Sequence, residues 1–200
     1  MRRSLVAVVV LLVMLAAGIA TVWFGSRWVV SVVTQKAGPA PVRRVGQAMA
    51  DFELVDLQGR TWRLTDLKGK TAFVNVWATW CAPCRKELPH LQRLYERVKD
   101  RPDVVLLTMN VDEKVSEVQP FVAKNAYTFP VIPAHEYVRK TLATTGIPRN
   151  WVIDAGGIWR FDEVGYRDSE GDWVANAERM IEEVRTPRGA PPHAAQRTGM

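Results

Sequence analysis

The chain has 200 residues, with 27 Lys+Arg against 21 Asp+Glu for a formal charge of +6, two cysteines and three histidines. Two cysteines exclude a disulfide scaffold and a four-thiolate zinc site. A hydrophobic content of 48% with eight tryptophans excludes wholesale disorder. A positive balance points to nucleic acid or anionic lipid only if it belongs to the folded part. It does not: residues 1–50 hold six basic residues and no acid, and the last 16 residues hold Arg185, Arg188 and Arg197 and no acid. The stretch between carries 18 basic and 21 acidic residues, a net charge of −3, so no nucleic-acid partner is expected.

In chain order, Leu5–Gly25 is a run of 21 residues without a charge. A helix of that length spans about 30 Å, the thickness of a bilayer core. Arg2 and Arg3 precede it and Trp23, Phe24 and Trp28 follow, which predicts a cytoplasmic start and an interfacial far end. A retained signal anchor over residues 1–30 is favoured over a signal peptide cleaved near Gly18-Ile19-Ala20, because the apolar run continues past that site. Either reading places the remainder outside the cytoplasm. Residues 31–47, rich in Pro, Gly and basic residues from Thr34 on, read as a linker in which Arg43 and Arg44 are solvated charges. Residues 185–200 read as a disordered tail.

Residues 48–184 read as one α/β domain. Phe52–Val55 and Thr61–Leu64 predict a hairpin, and Ala72–Trp77 a buried strand. Ala82–Lys99 has helical spacing, with Pro89 predicting a kink. Val104–Asn110 is a second buried strand, followed by a helix over Glu113–Asn125 broken or kinked at Pro120. A short extended segment at Phe129–Ile132 and a short helix at Glu136–Thr144 come next. Asn150–Asp154 and Ile158–Val164 flank Ala155-Gly156-Gly157 as a hairpin, and Trp173–Val184 is a closing helix. The order predicts a mixed sheet with helices on both faces.

The cysteines stand as Trp80-Cys81-Ala82-Pro83-Cys84, between a buried strand and a long helix. Two intervening residues in the first helical turn let the sulfurs meet. The helix N-terminus stabilises a thiolate on the first cysteine, and the second acts as the resolving thiol. Closing so short a loop removes little unfolded-state entropy, so a purely structural disulfide is a poor explanation.

With Leu67-Lys68-Gly69-Lys70, Phe73 through Pro89, Gly146-Ile147-Pro148 and Val152-Ile153-Asp154, the chain resembles the thioredoxin superfamily over residues 48–184. It is most similar to the membrane-anchored, TlpA-like thiol–disulfide oxidoreductases, the cytochrome c maturation reductase group. The resemblance implies a thioredoxin-like fold with an N-terminal hairpin, Cys81 as attacking and Cys84 as resolving thiol, and Pro148 as a cis-proline. It implies that the backbone of Ile147 pairs with an extended substrate, and that Glu87, one turn after Cys84, handles protons. Trp80 is expected to cover the thiols and shape the substrate surface, whereas Trp77 reads as core.

Two positions depart from the family. Asn75 stands where cytosolic thioredoxins carry a buried aspartate, and Arg149 stands where relatives often have threonine. A cation at 149 beside the sulfurs would stabilise a thiolate and make the disulfide more oxidising.

The expected function is reduction of protein disulfides, with apocytochrome c as a plausible client. The protein would be a tethered monomer on the periplasmic side of a bacterial inner membrane, its electrons coming from a transmembrane thiol carrier. No cofactor beyond the Cys81–Cys84 disulfide and no metal is expected. A copper chaperone using the two thiolates and His135 is the alternative. Peroxide reduction fits poorly, because Thr79 lies two rather than three residues before Cys81.

Overall fold

In the computed structural model, the structure describes Met14 and residues 44–166 and 172–185. The expected anchor apart from Met14, the linker up to residue 43 and the tail from 186 lie outside the described residues. Among the described residues, no helix is long and apolar enough to cross a membrane.

The first two strands, β1 (Glu53–Val55) and β2 (Thr61–Arg63), pair antiparallel in a separate two-stranded sheet. Their connection is built by Asp56, whose Oδ1 accepts from the backbone N–H groups of Gln58 and Arg60. Gly59 supplies the left-handed residue there, at φ +84°.

The main sheet has five strands: β3 (Thr71–Trp77), β4 (Val104–Asn110), β5 (Val131–Pro133), β6 (Arg149–Ile153) and β7 (Trp159–Val164). Their spatial order is β5-β4-β3-β6-β7. The β3–β4 and β4–β5 pairs are parallel, and the β3–β6 and β6–β7 pairs antiparallel. β3 is central and buried at every position, which explains its unbroken apolar character. The parallel neighbour requires a crossover, supplied by helix α1 (Ala82–Val98). Leu88, Leu91, Leu94 and Val98 of α1 are buried, as the periodicity predicts.

Helix α1 runs through Pro89 as one element. The segment after β4 is a 3₁₀ turn, Val115–Glu117, then α2, Val118–Lys124, so Pro120 falls in the first turn of a new helix. The N–H that proline lacks has no intrahelical acceptor there, and the ring costs nothing. The expected short helix at Glu136–Thr144 runs over residues 135–141, with a π-type turn at Tyr137–Thr141. Helix α3 (Trp173–Arg185) is the last element of the described residues and includes Arg185, expected in the tail, which pairs with Asp103 and Glu182.

Alternation along the central strands sorts the polar residues. Antiparallel partners share a face, and β6 opposes β3 as Asn75↔Asn150 and Val76↔Arg149. Asn75 and Asn150 therefore point to one face and Arg149 to the other. Phe73, on the Asn75 face, meets Trp173 of α3 edge-on at 6.1 Å. The opposite face carries Trp151, which meets Trp159 of β7 at 5.7 Å.

The folded part begins earlier than expected. Ala48 bridges to Ile158, the Gly46 N–H donates to the Trp159 carbonyl, and the Trp159 N–H donates to the Gln47 carbonyl. Arg44, read from sequence as a solvated linker charge, is only 3% exposed. Its guanidinium donates to Thr144 Oγ1 at 2.9 Å and to the Leu142 carbonyl, and pairs with Asp162 at 3.4 Å. Burial pays no penalty of isolation because these acceptors replace water.

Candidate active site

The reactive end of the sheet is set by chain direction. β3 runs into Ala78-Thr79-Trp80 and then Cys81, which caps α1 in an extended conformation (φ −81°, ψ 106°). Cys81 and Cys84 are joined by a disulfide, S–S 2.03 Å, with Cα atoms 5.2 Å apart. The Cys84 N–H donates to Cys81 Sγ at 3.2 Å. Pro83 sits in the first turn, where no N–H is needed.

The two sulfurs differ in access. Cys81 retains 5% exposure and Cys84 none. Of the pair, Cys81 is the one that solvent reaches. The unpaired amides and the dipole of the helix start favour negative charge at the capping sulfur.

Pro148 follows a cis Ile147–Pro148 bond and is buried. β6 begins one residue later, with Arg149 opposite Val76. This register puts Pro148 at the sheet end from which Cys81 emerges. The Pro148 carbonyl accepts from the Gly165 N–H at 2.8 Å, tying the loop to the end of β7. Ile147 is half-buried beside it. Trp80 is the most exposed large apolar residue of the domain, at 62%. It adjoins Cys81 in the chain and presents much of its indole to solvent.

Glu87 is fully buried, although its position on α1 equally fits a solvated surface carboxylate. Its Oε2 accepts from Asn75 Nδ2 at 2.9 Å and its Oε1 from Asn150 Nδ2 at 2.6 Å. Asn75 Nδ2 also donates to Asn150 Oδ1 at 2.8 Å. Burial raises the Glu87 pKa to about 7, against the opposing hydrogen bonds from Asn150, Asn75 and Trp173 and with help from the negative charge of Glu163. Asn75, which cannot titrate, thus holds a residue that can. One turn separates Glu87 from Cys84, so a carboxyl group whose pKa burial raises to about 7 lies one turn along α1 from the buried cysteine.

A stability prediction follows from this shift. The folded pKa of about 7 lies above the ordinary 4.5, so the folded state binds the proton more tightly. The stabilisation is complete below about pH 4.5 and is lost as pH rises through 7, amounting to about 3 kcal/mol. Glu87→Gln should flatten the dependence of the urea midpoint on pH across that window. A slope as steep as the parent's would assign the dependence to other groups.

Arg149 is placed differently from expectation. Alternation turns it to the face opposite Asn75, and its guanidinium is held by both oxygens of Asp162. Its charge is committed to that carboxylate. His135 lies 3.7 Å from Glu136. Among the described residues, no group of three or more His, Cys, Asp or Glu side chains is arranged to hold a metal ion.

The sequence reading missed Asn150 and Asp112. Asp112, 3% exposed, receives the Thr79 N–H at 2.8 Å and the Thr79 hydroxyl at 2.6 Å. The signal in the sequence was slight: Asn150 opens the run Asn150–Asp154, and Asp112 follows the end of Val104–Asn110 by two residues.

A disulfide capping the helix after a central strand, with a cis-proline at the same sheet end, defines a thioredoxin-fold oxidoreductase. Residues 45–161 match the AhpC/TSA family. The chain is 35% identical over 157 residues to the thiol-disulfide oxidoreductase ResA of Geobacillus thermodenitrificans, covering 78% of this chain and 84% of that protein. Among solved structures, a putative thiol:disulfide interchange protein DsbE from Chlorobium tepidum superimposes with a TM-score of 0.63 at 24% identity. That match covers 71% of this chain and 98% of the other. A thioredoxin family thiol:disulfide interchange protein from Chlorobium tepidum TLS gives 0.60 at 27% identity, over 74% of this chain and 100% of the other. The chain belongs to the AhpC/TSA family and, within it, to the ResA-like thiol–disulfide oxidoreductases.

Proposed function

We propose that the protein reduces disulfides of client proteins outside the cytoplasm through Cys81 and Cys84, tethered to a bacterial inner membrane by residues 1–30. The observation that carries this reading is the unequal access of the two sulfurs in a disulfide that caps a helix. In the dithiol form, the Cys81 thiolate attacks a client disulfide, the client S–S bond breaks, and one client sulfur leaves as a thiolate that takes a proton. The Cys84 thiolate then attacks Cys81 Sγ, releasing the second client thiol and forming the Cys81–Cys84 bond. Two electrons and two protons pass to the client, and no cofactor beyond the cysteine pair is required.

Glu87 fits the second step. A carboxylate near neutrality accepts the Cys84 proton as the resolving thiolate forms and returns it when the pair is reduced again. Ile147 and Pro148 would receive the extended client segment, with Trp80 packing against it. Extracytoplasmic space has no reducing glutathione pool, so the electrons would come from a transmembrane thiol carrier. Apocytochrome c is the proposed client, since its haem-binding cysteines must be reduced, and a monomer suffices for the reaction.

Trapping tests the assignment. Cys84→Ala should leave clients bound to Cys81 as mixed disulfides, separable on non-reducing gels and released by dithiothreitol. Recovery of c-type cytochromes supports the client. Adducts from Cys81→Ala with none from Cys84→Ala would reverse the roles of the two sulfurs.

A further inference from the structure

The loop that delivers Cys81 is held from outside its own helix. Residues 78–80 connect the last residue of β3 to the capping cysteine. The Trp77 carbonyl accepts from the Val111 N–H at 2.9 Å, and the Ala78 carbonyl accepts from the Cys81 N–H at 3.2 Å. Between them, both oxygens of one carboxylate grip Thr79: Asp112 Oδ2 takes its N–H at 2.8 Å and Oδ1 takes its hydroxyl at 2.6 Å. Asp112 is itself fixed. Asn110 Nδ2 donates to its Oδ2 at 2.6 Å, and its backbone N–H donates to Asn110 Oδ1 at 3.0 Å. Asn110 is fully buried at the end of β4, the parallel neighbour of β3.

A loop of three residues needs no carboxylate merely to turn. Desolvating a charge is costly, and Asp112 recovers the cost only because three donors converge on it. What it immobilises is the residue before Trp80, which is 62% exposed and adjoins the reacting sulfur. A misplacement of about 1 Å near a reacting atom can cost about a hundredfold in rate.

We propose that Asp112 and Thr79 form a clamp that positions Trp80 and Cys81 for attack on a protein disulfide, making Asp112 and Thr79 positioning residues of the exchange reaction. The proposal rests on the assignment of Cys81 as the attacking thiol. The clamp joins β4 to the active-site loop, so the sulfur is located by the sheet as well as by its helix. The hydroxyl of Thr79, and not its methyl group, is the part that Asp112 uses.

The test uses full-length protein, with dithiothreitol as reductant and insulin as the protein disulfide. Thr79→Val and Asp112→Ala should each lower kcat/KM by about tenfold to a hundredfold. The double variant should lose no more than Asp112→Ala alone, because both substitutions break one unit. Thr79→Ser should restore the parental rate. A purely structural role would lower the melting temperature without this coupling in kcat/KM, and without rescue by serine. Single variants within twofold of the parent, or losses that multiply in the double variant, overturn the clamp. Cys81→Ser separates the two levels: parental rates there overturn the thiol assignment and the clamp with it, whereas loss at Cys81 with an unaltered Thr79→Val overturns the clamp alone.

Discussion

Cys81→Ser is expected to abolish insulin reduction, with a loss of several orders of magnitude, while Cys84→Ser stalls after the first bond exchange. The two outcomes differ because the sulfurs do. Cys81 is the one with solvent access, and it lies at the capping position where a thiolate is favoured. A serine hydroxyl there is barely ionised near neutral pH and forms no stable bond to sulfur, so the first step has no nucleophile. Cys84, with no exposure, reaches only the Cys81 sulfur. Without it, the client remains attached until an outside thiol removes it. Quench-flow with acid trapping distinguishes the cases: no adduct for Cys81→Ser, and a stoichiometric adduct without turnover for Cys84→Ser. Turnover by Cys81→Ser at even a tenth of the parental rate would place the nucleophile elsewhere. Neither change should greatly lower stability in the reduced protein, since serine is close in size to cysteine.

The sulfur chemistry was legible in the sequence because its determinants are local. A cysteine pair at one-turn spacing, directly after an apolar strand and before an amphipathic helix, specifies a helix-capping dithiol without knowledge of the rest. The same locality made β3, α1 and β4 readable. Glu87 was findable from its spacing to Cys84, but its burial was not. That depends on Asn75 and Asn150, 12 and 63 residues away, meeting across the β3–β6 register. The pairing of Arg149 with Asp162 was hidden for a related reason. Its neighbour Pro148 was correctly located, yet a side chain's face is decided by strand alternation, and one residue reverses it. Pro120 was read as a break or kink because the turn of 3₁₀ helix that resets the helix start has no signature of its own.

Arg44 was the least legible residue, and it yields the second large effect. In a stretch rich in Pro, Gly and basic residues it resembles solvated linker charge, and its acceptors lie 98 to 118 residues away. In the fold, two arginines share one aspartate. Arg44 and Arg149 both pair with Asp162, and Trp151 Nε1 donates to the same carboxylate at 2.9 Å. The Arg44 guanidinium also lies 5.8 Å from the Trp151 ring and 5.9 Å from the Trp159 ring. Side-chain exposure is 4% for Arg44, 7% for Asp162 and 12% for Arg149. Burial and the neighbouring Arg149 lower the Arg44 pKa, opposed by Asp162, but a guanidinium stays charged.

The stoichiometry sets the order of the losses. Removing Arg44 leaves a balanced Arg149–Asp162 pair, at the cost of unsatisfied acceptors at Leu142 and Thr144. Removing Asp162 leaves two guanidinium groups facing each other in a poorly solvated site. Asp162→Ala should therefore cost about 5 kcal/mol and Arg44→Met about 3 kcal/mol, both within the range for broken buried ion pairs. The first is comparable to the whole stability of a small domain. Combining Asp162→Ala with Arg44→Met should recover part of the Asp162→Ala loss, because one of the two repelling charges is gone. Urea unfolding at pH 7 measures all three. Equal single losses, or a double variant less stable than Asp162→Ala, would mean that the site is hydrated enough to screen the charges. Recovery in the double variant would show that Asp162 serves to reconcile the arginine entering from the N-terminal side with the one that follows the cis-proline.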